Sequence, residues 1–185
     1  MTHTRSGSKK VDFALVLDPA PSTTLYTAVH AVLARLQQTY PQLSQSINSS
    51  GYSPLKSAPI AVLVETKTMT PNTDPLGQLG MIAAAFHRRL HTLPVQNATG
   101  TRPITDTGVI VTLPLISVTD HQWEVYFARD SGRTIQMVGP VELGSTRTLI
   151  STYMLLASLR LLESWIQEKF CPALEEWFSV DPLPA

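Results

Sequence analysis

The run Pro-Ile-Ala-Val-Leu-Val at 59–64, leading straight into Glu65-Thr66-Lys67, constrains the fold more than any other segment. A short apolar run rich in β-branched residues and opened by proline reads as a strand buried in a sheet. The strand is predicted over 60–67. An acid and a base then close it two positions apart. Residues two apart on a strand share a face, so Glu65 and Lys67 point the same way as Ala61 and Leu63.

The segments around this strand suggest its company. Val11, Phe13, Leu15 and Leu17 alternate with Asp12, Ala14, Val16 and Asp18, which predicts an earlier strand stopped by Pro19. A helix is expected at 22–39, capped by Ser22 or Thr23, and a polar loop then leads to the second strand. Asp74 before Pro75 is a helix start, and the following helix is expected over 75–93. A loop spans 94–107. The segment 108–120 is predicted as two short strands or an edge strand because Pro114 interrupts it. With 121–130 and 134–141 it forms a β-meander. Gly144 and Ser145 are expected to open a long helix over 146–169, ended by Pro172. The apolar face of that helix is most simply core, although its width leaves room for a subunit interface.

The order strand, helix, strand, helix, several strands, helix predicts one α/β domain over 11–180, a mixed sheet flanked by helices, after an N-terminal arm at 1–10. The 185-residue chain is long enough for a proper core. Only 15% of its residues are charged and the formal net charge is zero. That leaves a weak footprint for phosphate-driven nucleic-acid binding, with Lys9–Lys10 and Arg88–Arg89 as the basic pairs. The single Cys171 excludes an intrachain disulfide and a Cys-rich zinc site. No segment approaches roughly 18 uninterrupted apolar residues, and the first ten residues lack the apolar centre of a signal peptide. The expectation is an intracellular protein, cytoplasmic or nuclear, without a membrane partner. The strings at Asn48 and Asn97 are then read as chance matches to a glycosylation signal.

The residues that could carry chemistry converge on Glu65. If the first two strands are neighbours, Asp12 sits beside Glu65, and two close carboxylates repel unless a cation or a proton is shared. A hard divalent cation such as Mg2+ suits oxygen ligands, and Lys67 would add positive charge near a developing oxyanion. The plainer reading leaves Glu65 and Lys67 at a solvated strand end, with Asp12 at a bend. Elsewhere, His87 and His91 have the i, i+4 spacing of metal ligands, but Arg88–Arg89 would repel a cation, so a solvated helix end is expected there. His121 is read as part of a hairpin and His30 as structural. Trp123, Tyr126 and Phe127 are read as core and sheet surface.

Four stretches, KVDFALVLDP, INSSGYSPLKSAPIAVLVETK, DPLGQLGMIAAAFHRRL and GSTRTLISTYMLLASLRLLESWI, together resemble the fungal nuclease-like branch of the PD-(D/E)XK superfamily. The resemblance implies a restriction-endonuclease-like fold. It implies Mg2+ or Mn2+ held by Asp12 and Glu65 with help from the carbonyl of Thr66. Lys67 would assist the attacking water, and Gln78 would support the site from the next helix. Members of this group carry a helix and a strand before the first acid, so the expectation is a shortened relative or a core completed by another chain. Three functions follow: hydrolysis of DNA phosphodiesters, a recruited cyclase or isomerase acting on a small molecule of fungal secondary metabolism, or a non-catalytic binding module. A homodimer through the apolar C-terminal helix is the expected assembly.

Overall fold

The computed structural model describes residues 12–68, 75–95, 110–132 and 134–178. The arm at 1–10, the Asp74 cap, Asn97 and most of the 94–107 loop lie outside these residues. One five-stranded sheet runs in the order β1-β2-β3-β4-β5. Its strands are β1 (Phe13–Val16), β2 (Ile60–Lys67), β3 (Leu113–Thr119), β4 (Gln122–Asp130) and β5 (Ile135–Ser145). The helices are α1 (Thr24–Thr39), α2 (Pro75–Thr92), α3 (Leu149–Trp165) and α4 (Cys171–Phe178). This is the expected α/β architecture with a mixed sheet.

β2 is buried along Ile60–Glu65. It pairs antiparallel with β1 and parallel with β3, so both its edges are occupied. The parallel pairing needs a crossover, and α2 supplies it, packing on β2 and β3 through buried Leu79, Ala83, Phe86 and Leu90. β3, β4 and β5 then form the expected antiparallel meander.

α1 starts where Thr23 accepts the backbone N–H of Tyr26 at 3.3 Å, and it buries Leu25, Val29, Val32 and Leu36. Its first turn is tied to α4, because Glu175 accepts the N–H of Leu25 at 3.1 Å. The loop into β2 is built around Asn48. Its amide bonds the carbonyls of Leu55 and Ala58, and its oxygen accepts the N–H of Ile60 at 3.1 Å. Asn48 is buried and fully engaged, consistent with a chance match to the glycosylation signal. Arg89 donates to the carbonyls of Ser44 and Ser46, so it holds this loop to α2.

Four expectations need correction. The segment around Pro114 is one strand in the middle of the sheet, neither two strands nor an edge. Parallel pairing with β2 begins only at Leu115, so the proline stands ahead of the two-sided ladder. Gly144 and Ser145 close β5 instead of opening the last helix, which starts at Leu149 behind a Thr148–Ser151 capping box. Pro172 does not end that helix. A π turn over Ile166–Phe170 shifts the hydrogen bonding by one residue, the N–H of Cys171 bonds Ile166, and Pro172 sits in the first turn of α4, where its missing N–H costs little. Finally, the apolar face of α3 is not core. Leu155 is the one residue of α3 that is buried. The core is instead closed by Ile166, Phe170, Leu174, Trp177 and Phe178 beyond it.

The helical run Leu149–Phe178 is long and apolar enough, by length and composition, to cross a membrane. Its second half packs into the domain through these five residues, whereas the apolar stretch that meets that test is only 11% buried.

Candidate active site

The C-terminal end of β2 gathers the residues singled out by the sequence. Register places Phe13 opposite Val64, so Asp12, one residue before β1, falls at the level of Glu65 and Thr66. Asp12 Oδ2 accepts the backbone N–H of Thr66 at 2.8 Å and its hydroxyl at 2.6 Å. The side-chain hydroxyl and then the backbone N–H lower the Asp12 pKa below the usual carboxylate value, with a smaller contribution from the Lys67 charge. Asp12 is exposed, at a bend just before the edge strand.

Glu65 is 1% exposed. One of its oxygens forms an ion pair with the Lys67 ammonium. The other, Oε2, is buried without a hydrogen-bond partner. Lys67 Nζ also donates to Gln78 Oε1 at 3.3 Å, which ties the strand end to the first turns of α2. The structure therefore brings Glu65, Lys67 and Gln78 into direct contact, and Asp12 and Thr66 into a second contact beside them. Lys67 has Glu65 as its salt-bridge partner. Its backbone carbonyl accepts the N–H of Asp120, which fixes the β3–β4 turn at the same end of the sheet.

Two residues that the sequence did not single out stand in register with Glu65. Ser117 on β3 and Glu124 on β4 lie in one transverse row with it, on the face covered by α2. Ser117 is buried and Glu124 half-buried. The alternation along each strand carries this information, but only once the strand pairing is known.

A second polar cluster sits under the far end of α2 and corrects the expectation of a solvated helix end. His87 is buried, with Nδ1 on the Ala83 carbonyl at 2.8 Å and Nε2 without a partner. Burial lowers its pKa, against the opposing effects of the Ala83 carbonyl and the Asp130 charge. His91 Nε2 lies 2.9 Å from Asp130 Oδ2 and stacks edge-on against Trp177. Asp130 also accepts the N–H groups of Ile110 and Gly132. Burial pushes its pKa up, but these donors and His91 outweigh that and leave it lowered. His121 bonds the Thr146 hydroxyl at the hairpin, and His30 stacks on Tyr26 one turn away. Trp123, Tyr126 and Phe127 are half-buried against the core, as expected.

Among the described residues, no group of three or more His, Cys, Asp or Glu side chains is placed to hold a metal. The donor chemistry at β2 nonetheless fits a divalent cation. A buried carboxylate oxygen without a proton donor is an oxygen ligand with nothing bound to it, and Mg2+ takes one or two carboxylates and completes its shell with water.

A mixed sheet that presents Glu-x-Lys at the exit of a parallel strand, beside an acid on the adjoining antiparallel strand, defines a restriction-endonuclease-like domain. The chain belongs to the PD-(D/E)XK nuclease superfamily, whose family model matches residues 2–171. No curated protein and no solved structure matches the chain significantly.

Proposed function

We propose that this protein is a divalent-cation-dependent nuclease that hydrolyses phosphodiester bonds of DNA at the end of β2. The observation that carries the reading is Glu65, buried with Oε2 unpartnered, in contact with a lysine that a helix glutamine orients. A structural ion pair at a buried strand end would leave neither carboxylate oxygen bare. Membership of the nuclease superfamily supports the same reading.

Asp12 and Glu65 would hold Mg2+ or Mn2+, with the backbone carbonyl of Thr66 as a further oxygen donor. When bound, such an ion supplies Lewis acidity and a more acidic water. The chain's own residues do the positioning. The two Thr66 donors hold Asp12 Oδ2, so the other oxygen of that carboxylate is the one available to a cation. The low pKa of Asp12 keeps it ionised at neutral pH. Gln78 steadies the Lys67 ammonium, which offsets the negative charge that grows on the phosphoryl oxygens as water adds to phosphorus and the P–O bond to the leaving group breaks.

The test is cleavage of plasmid and linear DNA with Mg2+, with Mn2+ and with chelator. Expected is cleavage with either metal, and loss of cleavage in Glu65→Ala and Lys67→Ala. Cleavage that both variants retain in full, or no cleavage by the native chain with either ion, would overturn the proposal.

A further inference from the structure

α3 presents to solvent what a helix of this composition ordinarily hides. Leu149, Ile150, Tyr153, Met154, Leu156 and Leu161 are 72, 76, 65, 62, 47 and 73% exposed. The positions 150, 153, 154, 157 and 161 recur at helical spacing, so they form one stripe, with Leu149 and Leu156 along its border. The stripe cannot turn inward. Gly144, at φ +140°, lies so close beneath the helix that a Cβ there would come within 2.8 Å of the Leu155 nitrogen. Ser158 Oγ donates to the Leu143 carbonyl at 2.9 Å, and the Thr152 hydroxyl reaches the Ser145 carbonyl. α3 is therefore fixed on β5 by its opposite side.

β5 adds apolar surface on the side of the sheet that carries α3. Trp123, Val125 and Phe127 alternate along β4, so their partners Gly144, Val141 and Val138 share a face. Val138 and Val141 are about half exposed on that face. The six α3 side chains alone present on the order of 700 Å² of surface, against roughly 300–600 Å² for the largest apolar patch of an ordinary monomer. A stable interface of standard size takes about 800 Å² from each partner.

From this surface we infer that α3 forms a two-fold interface between two copies of this chain. Area is one argument and charge is the second. From Leu149 to Leu162, Arg160 is the only Asp, Glu, Lys or Arg. A helix lying on an anionic lipid surface carries several basic residues on its polar flank, and this one does not. A highly charged protein partner would find only Arg160 to pair with along this stretch. A second copy requires only apolar complementarity, and a chain of zero net charge meets no long-range repulsion from itself.

Geometry is the third argument. α3 has 17 residues and is about 25 Å long at 1.5 Å per residue. Two such helices crossing antiparallel about Ala157, a small residue that lets them approach, set Tyr153 against Leu161 of the partner subunit, and Leu161 against Tyr153 of the partner subunit. That reciprocity is what a two-fold axis requires. Met154 then lies along the aliphatic stem of Arg160 of the partner subunit.

Sedimentation equilibrium on the full chain tests this independently of any nuclease activity. Expected is a dimer at micromolar concentration. Ile150→Glu and Leu161→Glu, both at strongly exposed positions, should each weaken association at least about 100-fold with an unchanged circular-dichroism spectrum, because each buries an unpaired charge at the two-fold. Leu43→Glu, at an exposed apolar position in the loop after α1, should leave the dimer intact. A native chain that stays monomeric at about 100 µM, or a dimer that both α3 variants retain, would overturn the inference. So would a monomer that binds phosphatidylcholine vesicles through Ile150 and Leu161.

Discussion

The two ends of α2 cover two polar clusters on one face of the sheet, about 20 Å apart at 1.5 Å per residue between Gln78 and His91. At the first end, Glu65 keeps one oxygen unpartnered beside Lys67. At the second, Asp130 is saturated by His91 and two backbone N–H groups. Both acids are almost fully buried. A carboxylate whose oxygens all have donors has its desolvation offset and serves stability, whereas one left with a bare oxygen retains binding capacity that the fold does not use. By that criterion Glu65 belongs to the chemistry and Asp130 to the scaffold.

The contrast can be broken most forcefully by substitution at the first end. Glu65→Ala and Lys67→Ala should each lower DNA cleavage by about 100-fold or more, with thermal unfolding little changed. A large loss of stability without loss of cleavage would reverse the assignment.

Asp130→Ala should do the opposite. It leaves the N–H groups of Ile110 and Gly132 and the His91 ring without their acceptor, at a cost of about 3 kcal/mol and roughly a 10 °C lower Tm. Cleavage per folded molecule, measured at a temperature where the variant is intact, should be unchanged.

Acid titration separates the clusters further. The native pKa of His87 is lowered by burial, so the unfolded state binds a proton first as pH falls. Stability should hold above the ordinary histidine value near 6.5, decline as pH falls from there to the depressed native value, and level off below it. Asp130, also lowered, contributes stability that is present above the ordinary carboxylate value and is lost as pH falls through its native pKa. Urea unfolding from pH 8 to 3 should show both declines, and His87→Phe should remove the upper one alone.

The smallest effect is expected from Thr66→Val. It removes the hydroxyl donor, the larger cause of the lowered Asp12 pKa, and leaves the backbone N–H in place. The Asp12 pKa, followed by NMR, should move up toward its ordinary value, and cleavage should fall a few-fold. Thr66→Ser should restore both. An unchanged Asp12 pKa in the valine variant would remove the hydroxyl from the account.

How much was legible in the sequence follows the range of the signal. β2, α2 and β4 rest on local alternation and helical spacing, and each formed where the pattern put it, whereas the segment around Pro114 and the end of β5 did not. The Glu65–Lys67 pairing rests on the period of a strand, so it too was readable. Whether the apolar side of α3 is covered is not a local property. The spacing of Ile150, Tyr153 and Leu161 marks a face, but only the seating of Leu155 on Gly144 shows that the face points outward. The burial of His87 and the bond between His91 and Asp130, 39 residues apart, depend on how α2 is rolled against the sheet. Pro172 misled because its effect depends on the π turn before it, and hydrogen-bond register has no compositional signature.

The most direct test of the comparison is Mn2+ binding, followed by electron paramagnetic resonance on the native chain, on Glu65→Gln and on Asp130→Asn. The expected result is one saturable site at millimolar or lower Mn2+ in the native chain, its affinity reduced at least about tenfold by Glu65→Gln and unchanged by Asp130→Asn where that variant is folded. No saturable Mn2+ binding in the native chain, or binding that Glu65→Gln leaves intact, would contradict the assignment of the chemistry to the end of β2.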